Sequence, residues 1–167
     1  MTKSIELAAG SNGSRNAASV ESVADILERE LPTMIEEWLM RVEKEPDLMH
    51  ITMNREERTG HLPALMHDVI KRLRLDAGTK APISEASAAH GELRRKQGYT
   101  VAMAVEESRL LQVSIFTILH NNVKQLEFSM LLPDVVTIAD EVDAQLKQQM
   151  LRFMAADDAE KAKQRAG

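Results

Sequence analysis

Apolar residues recur every three or four positions through most of this chain of 167 residues, which is the spacing of amphipathic helices. The first stripe, residues 23–42, predicts a helix that Ser19 caps, that Pro32 kinks or splits, and that Pro46 ends. No stretch alternates apolar and polar residues, as a half-buried strand would. The pattern therefore predicts an all-α fold.

The middle of the chain predicts further helices with recognisable ends. Asn54 and Glu57 have the spacing of a capping box ahead of an apolar stripe at residues 62–73, and residues 78–82 are the predicted stop. Ser84 is the predicted N-cap of a shorter helix, and Gly98 is expected to end it in the left-handed conformation. These segments are expected to pack as separate helices.

The last third of the chain predicts two long helices. Thr100 is the predicted cap of a helix that reaches about Phe128 and is apolar around most of its circumference, so we expect it at the centre of the fold. After Pro133, the last helix has apolar residues spaced close to a heptad. We interpret this seam as a homodimer interface that also relays a signal; its members are Val135, Ala139, Val142, Leu146, Met150 and Phe153.

These patterns divide the chain into one domain and two terminal segments. Residues 1–18 are small and polar, and we expect a flexible tail. Residues 19–155 are expected to form a bundle of about five or six helices, either a simple bundle or a globin-like set without haem, with a long C-terminal helix. Residues 156–167 are charged and are interpreted as a frayed end or a linker to an output module.

Composition excludes several classes of function. The net charge of -5 provides no basic field for phosphates, so nucleic acid is not an expected partner. The absence of cysteine excludes disulfides and thiolate metal sites. No signal peptide or membrane-spanning run is recognisable, so we expect a cytoplasmic protein without a membrane partner.

Motifs for catalysis and for cofactors are also missing. The sequence has no nucleophile elbow or phosphate-binding glycine loop, and Glu106 and Glu107 are adjacent, so they face different sides of a helix. His61 and His67 are not spaced for a helical zinc pair, and aromatic residues at 3% are too few to line a haem pocket. We therefore expect no enzymatic activity, no metal and no cofactor.

A polar group of residues surrounds the predicted turn at residues 98–100. If two antiparallel helices meet there, positions whose numbers sum to about 198 face each other, which places His90 opposite Glu107 and Arg94 within a turn of it. Tyr99 is the expected contact just after the helix end. Two interpretations stay open: a cluster that responds to a ligand or to pH, or a structural salt bridge that fixes the hairpin.

The same residues carry a resemblance to a known family. The pattern resembles the N-terminal domain family of the stressosome co-antagonist RsbRD, which also occurs as the input module of bacterial sensor histidine kinases. The residues of this pattern are His90-Gly91-x-x-Arg94-x-x-Gln97-Gly98-Tyr99, followed by Glu107 and Leu110-Leu111. More weakly, the resemblance extends to the helix of Trp38 and to Leu62-Pro63, and it covers most of residues 20–155.

This resemblance implies a non-catalytic regulatory domain that passes a signal to a kinase or a STAS-type output module. Two alternatives stay open: a stand-alone adaptor that binds a protein, and a globin-like sensor of haem or a small molecule. A tightly filled centre would favour relay between proteins, whereas a cavity near His90 and Glu107 would favour a ligand.

Overall fold

The computed structural model describes residues 20–75, 79 and 82–166, and these residues form helices without any strand. The predicted all-α fold is therefore confirmed. The α-helices are α1 (Val23–Arg29), α2 (Leu31–Val42), α3 (Pro46–Met49), α4 (Arg55–Thr59), α5 (Leu62–Leu73), α6 (Glu85–Lys96), α7 (Val101–Asn121) and α8 (Phe128–Ala166), and a 3-10 helix occupies Val123–Gln125. Five of them have 12 residues or more, which agrees with the predicted bundle. No helix in these ranges is long and apolar enough to cross a membrane.

Proline divides the first predicted helix, as expected. Pro32 is the second residue of α2. An N–H at this position has no acceptor within the helix, so proline costs no helical hydrogen bond there. Ser22 caps α1 by accepting from the Asp25 N–H at 3.1 Å, whereas Ser19 lies outside the described residues. The role predicted for Pro46 is wrong, because α2 has already ended and Pro46 begins the short α3.

The capping box at Asn54 is confirmed. The Asn54 side chain accepts from the Glu57 N–H at 2.9 Å, and the Glu57 carboxylate accepts from the Asn54 N–H at 2.8 Å. The helix after it divides at Gly60 into α4 and α5, and Pro63 is the second residue of α5. The predicted stop at residues 78–82 lies mostly outside the described residues.

Two predicted helix ends in the last third are wrong. α7 ends before the 3-10 helix and does not reach Phe128. At this end the Ile118 carbonyl accepts from both the Asn122 side chain at 2.9 Å and the Asn122 N–H at 3.1 Å. α8 begins before Pro133 and contains it. Near a helix start, proline removes only one backbone hydrogen bond, which the packing of the rest of the helix offsets.

The charged C-terminal segment is helical, not frayed. α8 continues through residues 156–166, giving a helix of 39 residues. Arg95 of α6 donates to Asp157 at 2.7 Å and lies 2.9 Å from the Glu160 carboxylate. The segment interpreted as a frayed end or a linker is therefore not frayed, and forms an extension of α8 that ion pairs hold near α6.

The core lies between α7 and the helices around it. α7 contacts α1, α2 and α8, as its apolar circumference predicts, and the most extensive helix contact joins α6 to α8. The largest fully buried apolar side chains come from α1, α2, α3, α5, α7 and α8 but not from α6, and they include Ile26, Met34, Trp38, Leu65, Met66, Ile115, Ile118 and Ile138.

The predicted dimer seam of α8 turns mostly inward. Val142 and Phe153 belong to the core of this single chain, and Val135 and Met150 pack against that core. Ala139 and Leu146 are half-buried. Val142 and Phe153 are therefore not available to a second subunit. The large apolar side chains that α8 exposes are others, namely Phe128, Met130, Leu132, Val136, Leu151 and Met154.

A buried polar cluster as the candidate functional site

The turn between α6 and α7 places the candidate residues face to face. Gly98 has φ of 88°, a conformation that other residues rarely adopt, so the chain reverses there. Thr100 caps α7 by accepting from the Met103 N–H at 3.2 Å. The helices then run back along each other, and the predicted pairing of His90 with Glu107 is confirmed.

The Glu107 carboxylate is the centre of the cluster. It is 4% exposed, and its Oε2 accepts from Arg94 Nε at 3.0 Å and lies 3.3 Å from His90 Nε2. Its Oε1 accepts from the Tyr99 hydroxyl at 2.8 Å and lies 2.9 Å from an Arg94 terminal nitrogen. The structure thus brings the other three predicted residues, His90, Arg94 and Tyr99, onto the Glu107 carboxylate.

Arg94 ties this carboxylate to the neighbouring helices. Its side chain is fully buried, and its guanidinium also donates to the backbone carbonyls of Glu57 at 3.2 Å and Arg58 at 3.0 Å. A further bond reaches the Gln97 side chain at 2.8 Å, and the guanidinium lies 4.8 Å from the centre of the Tyr99 ring. Because its donors are largely satisfied, the charge of Arg94 can be accommodated in the interior.

Two members of the cluster were missed in the sequence. The His61 ring stacks on His90 with centroids 3.7 Å apart. The Trp38 and His61 rings are nearly perpendicular, with centroids 5.7 Å apart. The Trp38 N–H donates to the Glu107 backbone carbonyl at 3.2 Å. Trp38 lies among the apolar residues of α2 and His61 lies just before those of α5, but contacts between distant segments do not follow from helix periodicity.

Burial sets the protonation states of the cluster. It lowers the pKa of His61 well below its usual value, with the charges of His90 and Arg94 adding to the effect. Burial also lowers the pKa of His90, more than Glu107 raises it. Burial alone would raise the pKa of Glu107, but the bond to His90 and the charge of Arg94 outweigh it and lower that pKa. At neutral pH the cluster is therefore an Arg94–Glu107 ion pair beside two neutral imidazoles.

The same groups form a set of potential metal ligands, but their geometry does not fit an ion. One ligand atom each from His61, His90 and Glu107 lies within 4.8 Å of the others. The two ring planes differ by only 13°, and imidazole lone pairs lie in the ring plane, so both cannot point at one ion at about 2.1 Å. Glu107 is also already occupied by Arg94.

The space around the cluster is almost completely filled. The cavity that Trp38, His61, His90 and Glu107 line together with α8 has a volume of about 10 Å³. Such a volume accommodates about one water molecule. A small molecule or a haem would require the surrounding helices to move apart.

The cluster borders the close contact between α6 and α8. Gly91 packs so tightly on α8 that a Cβ atom at this position would lie 2.2 Å from the Gln149 backbone oxygen. Gln149 also lines the small space beside His90. Glycine is therefore required at position 91, one residue from the cluster.

No protein-family model, curated protein or solved structure matches this chain. The site is therefore interpreted from its own geometry.

Proposed function

We propose that this chain is a non-catalytic, cytoplasmic regulatory module that receives a signal and passes it through α8 to a kinase, a STAS-type module or another partner protein. The resemblance to the N-terminal domain family of RsbRD supports a role in signal input. The observation that carries the proposal is the close contact of the filled polar cluster with α8, which continues for 39 residues as one helix.

A filled centre favours relay over the binding of a ligand at this cluster. Gly91 leaves no room between α6 and α8, so a displacement of α6 moves α8 with it. The ion pairs of Arg95 with Asp157 and Glu160 extend this coupling toward the end of the chain. Residues 157–166 are thus the part of α8 placed to present a change to a partner.

Replacing Gly91 with Ala tests the relay. The added Cβ forces α8 away from α6, so we expect faster amide hydrogen exchange in residues 157–166 and a lower free energy of unfolding. Exchange followed by mass spectrometry measures the first, and urea denaturation the second.

Ala89→Gly is the matched control, because Ala89 is exposed on the same helix. Lower helix propensity should cost this variant about 1 kcal/mol without moving α8. If Gly91→Ala leaves exchange in residues 157–166 unchanged, or if both variants alter it equally, α8 does not relay from this contact.

We further propose that the chain forms a homodimer. The dimer uses a face of α8 that differs from the predicted seam. Phe128, Leu132 and Val136 are spaced by four residues and are 80%, 72% and 62% exposed. Asp134 is the only charged residue in the stretch 128–139. An exposed apolar helix face with so little charge is suited to pack against the same face of a second copy.

Leu132→Glu tests the dimer. A carboxylate in the middle of an apolar interface loses its water without gaining a partner, so we expect this variant to be monomeric where the unchanged protein is dimeric. Light scattering coupled to size-exclusion chromatography gives the mass directly.

Leu151→Glu provides the comparison, since Leu151 is also exposed on α8 but lies outside the stretch. It should remain dimeric. A monomeric unchanged protein, or equal dissociation of both variants, would exclude this interface.

A further inference from the structure

A second cavity lies between α5 and α8, and Gln145 lines both this cavity and the small space beside the polar cluster. Its volume is about 470 Å³, within the usual range for small-molecule sites. Glu141 and Gln145 of α8 line it, together with Arg72 of α5 and residues 82–84 ahead of α6. The centre of the bundle is filled, but this space is open.

Two buried acceptors at this cavity lack donors. Glu141 and Gln145 are each 2% exposed. Gln145 Nε2 donates to Glu141 Oε1 at 3.2 Å and to the Leu65 carbonyl at 3.0 Å. Glu141 Oε2 and Gln145 Oε1 have no hydrogen-bonding partner among the described residues. Buried acceptors in folded proteins are nearly always paired, so this pair indicates a missing donor.

The charges around Glu141 favour a positive donor. Burial raises the pKa of Glu141, and the carboxylates of Asp68 and Asp140 raise it further, while the hydrogen bond from Gln145 and the charge of Arg72 oppose the rise. Arg72 and Lys147 also line the cavity, yet neither donates a hydrogen bond to Glu141 Oε2. A ligand cation would thus meet a buried carboxylate oxygen with which no cation among the described residues forms a hydrogen bond.

We propose that this cavity binds a small molecule with a primary ammonium group, which donates to Glu141 Oε2 and Gln145 Oε1. An ammonium group carries three donors and no acceptor, which matches two unpaired acceptors one helical turn apart. The hydrocarbon part of the ligand packs against Pro82, Ile83 and Ala144, which line the same space. Neither the relay nor the dimer is needed for this site, although its two acceptors belong to α8.

Titration of the isotope-labelled protein with n-butylammonium, followed by nuclear magnetic resonance, tests the proposal. We expect saturable shifts of the Gln145 side-chain amide and of the Ala144 backbone amide. The neutral probe n-butanol has the same chain without the charge and should cause no saturable shift. Absence of saturation by n-butylammonium, or equal binding of n-butanol, overturns the proposal.

Two variants separate this site from general attraction to an acidic surface. Glu141→Gln removes the buried charge and should weaken n-butylammonium binding about tenfold or more, the factor for losing roughly one charged hydrogen bond. Asp143→Asn removes a charge from an exposed position of the same helix and should leave binding unchanged. Equal weakening in both variants contradicts a specific site.

The titration of Glu141 itself gives a readout that does not depend on variants. In the free protein its pKa should lie above the usual value for glutamate, and saturation with n-butylammonium should lower it. If the pKa in the free protein lies below the usual value, a cation of the chain already pairs with Glu141, and the proposal is wrong.

Discussion

Replacement of Glu107 by Ala should lower the free energy of unfolding by about 3–5 kcal/mol, the usual cost of breaking a buried ion pair by removing one partner. The Arg94 guanidinium would stay in the interior without its countercharge, and the Tyr99 hydroxyl would lose its acceptor. Urea denaturation followed by circular dichroism measures the change. If the variant does not fold, the Glu107 carboxylate contributes more to the free energy of unfolding than the whole stability of the variant can compensate.

Glu106 offers a matched control for this substitution. It precedes Glu107 on α7 but faces solvent, where it pairs with Arg109. Glu106→Ala should change the free energy of unfolding by less than about 1 kcal/mol, because exposed ion pairs contribute little. Similar losses in the two variants would show that the buried ion pair contributes no more to the free energy of unfolding than the exposed one.

A double-mutant cycle separates the ion pair from the rest of the cluster. Arg94→Met and Glu107→Gln both keep the approximate shape of the side chain while removing its charge. We expect the double variant to be more stable than the sum of the single effects allows, with a coupling energy of about 0.5–3 kcal/mol. Additive losses would mean that the two charges do not interact.

Stability should fall on acidification below about pH 6.5, well before the carboxylates titrate. The folded state holds His61 and His90 neutral, because burial depresses both pKa values, whereas the unfolded chain protonates them near pH 6.5. Between that pH and the depressed values the unfolded state binds more protons, so stability decreases as the pH falls. Each group contributes up to about 1.4 kcal/mol per pH unit within this window.

Protonation of Glu107 lowers the folding stability further at lower pH. Its pKa is lowered in the folded state, so its contribution is complete above about pH 4.5 and disappears as the pH falls toward the lowered value. Urea denaturation at a series of pH values should therefore show a decline that starts near pH 6.5 and becomes steeper below pH 4.5.

His61→Phe identifies the source of the first decline. Phenylalanine keeps a ring against Trp38 and His90 but cannot bind a proton, so the slope between pH 6.5 and 5 should become smaller. His67→Asn is the control, since His67 is exposed and should leave the slope unchanged. A slope that both variants leave intact would place the titrating group elsewhere.

The part of the site that could be predicted is the part made by neighbouring segments. Gly98 and Thr100 define the turn and the start of α7, and helix geometry then brings His90 opposite Glu107. His61 and Trp38 reach the same point from helices that precede the hairpin by many residues, and their arrival depends on how whole helices pack.

The helix ends show the same division between local and distant causes. The cap at Asn54 and the break ahead of Pro32 follow from residues three or fewer positions apart. The structure has the capping box at Asn54 and a new helix that begins one residue before Pro32. Pro133 suggested a helix start, but α8 tolerates it because tertiary packing outweighs one lost backbone bond. The inward direction of Val142 and Phe153 likewise depends on how α8 packs against α5, α6 and α7, which no periodicity along α8 reveals.

The position of Trp38 gives the protein a built-in optical probe. It is the single tryptophan of the chain, it is fully buried, and its ring meets His61 while its N–H binds the backbone of Glu107. Its fluorescence therefore originates inside the polar cluster, with no contribution from another indole. Changes in emission wavelength or intensity can follow the opening of this cluster in real time, without any label attached to the protein.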